Sequence, residues 1–184
     1  MKARDANILI LPGFEPDSAD VWYRRWASRI SSARVLEPFD SSDLRDRRLG
    51  QLVKELRRSD KPVVLVGHGL GNISILDTAG LGADAPVAAF MVSVPDTQDP
   101  ARVSSLTSGA QFQGPLPTTA LGFPAVVVAS QQDPYGNFEQ IKSLSANWGA
   151  QFVDAGNAGA INEASGHGPW PEASLTFAAM MQKL

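Results

Sequence analysis

The stretch "KPVVLVGHGLGNISIL", residues 61–76, constrains the fold more than any other part of the chain. A run of valines and leucine enters a turn carrying Gly67, Gly69 and Gly71, and helical spacing follows at once. Gly67 and Gly71 allow strand and helix to pack closely across a sharp reversal. Gly69, at the tip, is free to take the positive φ that would strain other residues. Such a reversal between a buried strand and a helix belongs to a layered α/β structure.

The remaining sequence repeats that alternation. Segments 7–12, 33–38, 62–67, 86–94, 124–130 and 150–156 are short and rich in Val, Ile and Leu, as expected for parallel strands buried on both faces. Helical spacing marks 20–31, 43–58, 72–80, 137–148 and 171–182, the last with Pro171 suited to a first turn. In 43–58 the apolar stripe is Leu49, Leu52, Val53 and Leu56, and Arg45, Arg47, Arg48, Arg57 and Arg58 are expected on a solvated face. These elements predict one domain over 1–184: a doubly wound, mostly parallel sheet of about six strands with helices on both faces. Only 96–124, rich in Gly, Pro, Ser and Thr, breaks the pattern. It is expected as an insertion over the carboxyl edge of the sheet.

Composition narrows the function. A formal net charge of −3 gives no electrostatic basis for nucleic acid as a partner. The absence of cysteine removes thiol catalysis, thiolate metal sites and disulfides. With no apolar run near the roughly 18 residues of a membrane span, a cytoplasmic domain without membrane association is expected. The two histidines, His68 and His167, lack metal-ligand spacing, so neither metal nor cofactor is expected. His68 is expected to pack and hydrogen-bond beside the turn, and His167 to be a structural or rim residue. Ser74, Ser93 and Ser130 are the candidate alternative nucleophiles, with capping or loop roles as the simpler reading. The Leu70 N–H, with that of Phe14 in the "LPGFEPD" loop, is expected to form an oxyanion or anion site. Asp133 follows the 124–130 strand, and burial is expected to raise its pKa.

Three stretches carry a more specific likeness. "LPGF" stands at the front, "GHGLG" in the middle, and "ASQQDPY" with "WGAQFVDAGNAGAINEASGHGPWPEA" at the end. On these the chain resembles the small α/β-hydrolase-fold serine hydrolases of the retinoblastoma-binding-protein and YdeN-like type. In a G-x-S-x-G elbow the central serine is the nucleophile; the resemblance sets that position on Gly69. It sets the retained acid on Asp133 and the catalytic histidine of a G-H-[IL]-N motif on Ala160. A loop His-Trp pair is replaced by Val21-Trp22, followed by Trp26. The implied pocket is lined by Phe14, Leu70, Trp22 and parts of 96–124, with His68 and His167 nearby.

The resemblance therefore implies a hydrolase scaffold without its nucleophile or its base. The expectation is a pseudohydrolase that keeps a pocket for a small ligand or a protein partner, an active relative among them. Two alternatives stand beside it. One is a carboxylesterase or amidase using a rearranged pair, such as Ser93 or Ser130 with His68 or His167. The other is an engineered knockout of an active enzyme.

Overall fold

The structure, a computed structural model, describes residues 1–13, 20–36, 45–104, 106 and 114–184. Six strands form one wholly parallel sheet: β1 (Asn7–Leu11), β2 (Ala33–Val35), β3 (Val63–His68), β4 (Ala88–Val92), β5 (Ala125–Ala129) and β6 (Gln151–Asp154), in the order β2-β1-β3-β4-β5-β6. Alternate residues of each central strand serve opposite layers. Leu9, Leu11, Val63 and Leu65 join a core with α2 (Arg45–Arg58), α3 (Gly71–Leu76) and α5 (Phe138–Trp148). Ile8, Ile10, Val64 and Val66 join a second core with α1 (Trp22–Arg29) and α6 (Pro171–Gln182). The short helix α4 (Pro100–Ser104) follows β4. The doubly wound sheet expected from the sequence is the fold observed.

Four expectations need correction. Burial on both faces holds for β3, β4 and β5 throughout, but β2 and β6 are partly exposed. Each lies at an edge of the sheet and has one neighbouring strand rather than two. Arg48 is not solvated: it is 2% exposed. It precedes the buried Leu52 and Leu56 at intervals of four, so it shares their stripe. Arg45 and Arg57 are held by Asp77 and Asp84 on the neighbouring segments.

The helix expected over 72–80 ends at Leu76, and the chain continues in turns to Gly80, whose φ is +84°. The fourth correction concerns the insertion. Leu116, Leu121 and Phe123 are buried in the α2/α3/α5 core, and Trp148 Nε1 donates to the Pro117 carbonyl at 2.6 Å. The later part of 96–124 is therefore packed beside α5 and does not overhang the strand ends. Residues 105 and 107–113 of that segment fall outside the described residues.

The two cores place α1 and α3 on opposite faces, although β1 and β3 are neighbours. Chains leaving these strands diverge, and the crevice between their carboxyl ends is where open α/β sheets receive ligands. Gly13 and Gly69 face each other there: a Cβ built on Gly69 would lie 3.9 Å from the Gly13 Cα.

Glycine tolerance should separate packing from flexibility. A Cβ on Gly71 would meet the Leu11 carbonyl oxygen at 2.0 Å, while one on Gly50, inside α2, would meet nothing within 4 Å. Urea denaturation should show Gly71→Ala losing on the order of 3 kcal/mol or failing to fold. Gly50→Ala should gain about 0.5–1 kcal/mol from helix propensity.

Candidate active site

The turn after β3 is an elbow with Gly69 at its tip, φ +52°. Close packing leaves little choice about its shape. A Cβ on Gly67 would lie 2.2 Å from Asn72 Oδ1, and one on Gly71 would strike the backbone of Leu11 and Pro12. Asn72 pins the turn from beneath. Its side-chain amide is buried and donates to the Gly69 carbonyl at 3.0 Å and the Val92 carbonyl at 2.7 Å. The Gly69 N–H also donates to Val92, at 3.1 Å. Sequence reasoning missed Asn72; the signal was an amide side chain inside a short, wholly buried helix.

Leu70 is buried, and its N–H faces the Gly13 loop, 3.7 Å from a Cβ built on Gly13. No hydrogen bond to that N–H forms among the described residues. Phe14, the expected second oxyanion donor, lies outside the described residues.

Position 160 comes to the same place. The Ala160 carbonyl accepts from His68 Nε2 at 2.9 Å and from the Ser93 hydroxyl at 2.9 Å. A carbonyl only accepts, so His68 carries its proton on Nε2. Ala160 itself is 6% exposed and presents only a methyl group. Gly69, His68, Ser93 and Ala160 are thus joined by short links at the carboxyl ends of β3 and β4.

Asp133 completes the group. It is 9% exposed, and its Oδ1 accepts the Tyr135 N–H at 2.9 Å. Burial raises its pKa above the ordinary carboxylate range. The N–H groups of Tyr135 and Gly136, the nearness of the Ser93 hydroxyl and the facing His68 oppose that rise without cancelling it.

Backbone strain gathers here as well. Among the described residues the non-glycine positions with positive φ are Ser93 (+53°) and Ile161 (+50°). Ser93 bonds the Ala160 carbonyl, and Ile161 is the next residue in the chain. Such conformations cost about 1–3 kcal/mol each and cluster where surrounding structure holds a site in shape. Ile161 is unusual, since a β-branched side chain rarely takes this region.

Other expected residues fall elsewhere. Trp22 is fully buried, packs edge-on against Tyr23, Trp26 and Trp170, and donates through Nε1 to the Ile161 carbonyl at 3.1 Å. It supports the 160–161 loop from within the core, so it does not line an open pocket at the elbow. His167 is half-buried against Trp170, with Nδ1 3.3 Å from the Ser165 hydroxyl. That hydroxyl is already engaged in a reciprocal cap with Asn162. Ser130 Oγ bonds the Gly156 carbonyl and the Gln132 and Ala158 N–H groups, and Ser74 is buried within α3. Among the described residues no group of three metal-ligating side chains forms, and no helix is long and apolar enough to cross a membrane.

Asp133 gives a pH signature. A carboxyl whose folded pKa lies above its unfolded value holds its proton longer in the native chain. Its contribution is therefore full below the unfolded value and declines as pH rises toward the folded one. Urea denaturation across the acid range should show Asp133→Asn gaining on the wild type through that window, with a flat difference below it. A difference that moves the other way would contradict the assigned burial.

The profile of the family described as Serine hydrolase matches residues 8–179. No curated protein sequence matches the chain. Among solved structures, a protein described as a YdeN-like hydrolase from Pectobacterium atrosepticum superposes with TM-score 0.78 at 23% identity, over 96% of this chain and 90% of that one. The ydeN gene product of B. subtilis gives TM-score 0.70 at 18% identity, over 95% and 98%. MenH from S. aureus gives 0.68 at 14%, over 100% and 95%. At these identities the structural likeness shows the α/β-hydrolase fold.

Proposed function

The chain belongs to the serine hydrolase family, and from that premise we propose that it is a non-catalytic member, a pseudohydrolase, whose elbow holds a small ligand or a protein partner without cleaving it. One observation carries the reading. Strained and glycine backbone converges on the Ala160 carbonyl, yet Gly69 and Ala160 bring no hydroxyl and no imidazole to it. The nearby polar side chains are already committed. Ser93 and His68 both spend a proton on that carbonyl, and Asp133 is held by its own turn.

Magnitudes favour binding over turnover. In a serine hydrolase, loss of the nucleophile or the base costs on the order of 10⁶ in turnover, and loss of both little more. An oxyanion site and ground-state binding alone leave roughly 10³–10⁴ over water. The Leu70 N–H, which bonds to nothing among the described residues, supports retention of a polar or anionic group at the elbow.

The proposal is tested by rebuilding the two slots. Gly69→Ser with Ala160→His should yield measurable hydrolysis of p-nitrophenyl acetate, while either change alone should not. A Cβ at 69 meets no atom closer than 3.9 Å, but a serine there must accept φ +52°, so the variant should also lose about 1–3 kcal/mol of stability. Wild-type turnover well above buffer, abolished by Ser93→Ala, would overturn the proposal in favour of a rearranged site.

A further inference from the structure

A groove of about 820 Å³ runs between α1 and α6, on the helical face away from the elbow helix α3. Its apolar lining includes Trp26, Ile30, Trp170, Leu175, Phe177 and Ala178. It extends from the Gly168–Pro171 loop to Met181 and Gln182, the whole of α6, roughly 18 Å at 1.5 Å per residue. The groove has the size of a small-molecule site, and apolar walls with few polar groups are typical of one. Leu175 is 73% exposed, the one large apolar side chain so placed among the described residues.

Charge selects the occupant. Every charged side chain lining the groove is cationic: Lys2, Arg25 and Arg29, in a chain whose formal net charge is −3. Arg25 is neutralised by Asp20, through Nη2 to Oδ1 at 2.5 Å and Nε to the carbonyl at 3.0 Å. Lys2 and Arg29 form no ion pair among the described residues. A long apolar slot with a purely basic rim fits an elongated apolar molecule ending in an anion. A second copy of the chain fits less well, because a stable interface buries about 800 Å² per partner and two such faces would set Lys2, Arg25 and Arg29 against their own like charges.

We propose that the α1/α6 groove is a binding site for an anionic amphiphile of the fatty-carboxylate class, separate from the elbow. The alkyl chain lies along Leu175 and Ala178, over a floor formed by the largely buried Trp26 and Phe177, and the carboxylate is held by Arg29 or Lys2 at the rim.

The test is isothermal titration calorimetry of the full chain with monomeric dodecanoate, below its micelle concentration. Saturable binding with one site per chain is expected, at least about tenfold tighter than dodecyltrimethylammonium, which has the same tail and the opposite charge. Ala178→Trp and Ser174→Trp each fill the slot from an exposed helix position and should weaken dodecanoate by about tenfold or more. Arg29→Glu with Lys2→Glu should narrow the preference for the anion. Equal affinity for the cationic amphiphile, or affinity unmoved by both tryptophans, would overturn the proposal. So would binding confined to anionic vesicles, or a dimer that Ala178→Trp dissociates in a chain that takes no dodecanoate.

Discussion

The approach of α3 to the sheet governs the rest of the molecule. With Gly71 against the Leu11 carbonyl and Gly67 against Asn72, there is no room for a single methyl group at either position. The reversal between β3 and α3 is therefore tight, and Gly69 is forced to positive φ. Asn72 ties that turn to the end of β4 through Val92. One steric constraint thus aligns the carboxyl ends of β1, β3 and β4. The crevice at Gly13 and Gly69 follows from it, as does the proximity of Ser93 and Ala160.

In the proposed reading, what gathers at this crevice is a held shape with little reactive chemistry. Positive φ at Ser93 and Ile161 is stabilised by the surrounding structure: Ser93 bonds the Ala160 carbonyl, and Trp22 bonds the Ile161 carbonyl. A glycine at 69 takes its conformation without the strain a serine would carry. In the proposed reading, the polar groups have turned inward to satisfy one another. Asp133 fits the same picture: burial raises its pKa, while its own turn and the facing His68 hold that rise back.

Much of this was legible in the residues, and the failures have physical causes. The six strands read clearly because parallel strands buried on both faces select Val, Ile and Leu; Gly67 and Gly71 read as close contacts and Gly69 as the positive-φ tip. Edge exposure at β2 and β6 was not legible, since strand order is a tertiary property. Arg48 was misread by residue type, although its spacing from Leu52 and Leu56 pointed inward. Segment 96–124 reads from its glycines and prolines, which hide Leu116, Leu121 and Phe123 as core residues. Ser93 reads as a capping or loop residue or an alternative nucleophile, and nothing in "MVSVPD" shows that its hydroxyl reaches the Ala160 carbonyl. Phe14, on which the second oxyanion donor depends, falls outside the described residues.

The central claim is that no hydroxyl at this centre is activated for attack. Treatment of the wild-type chain with a fluorophosphonate, followed by intact-mass measurement and peptide mapping, tests it most directly. An unmodified chain, under conditions that label an active serine hydrolase completely, is the expected result. A stoichiometric adduct on Ser93, or on any other serine, would contradict it.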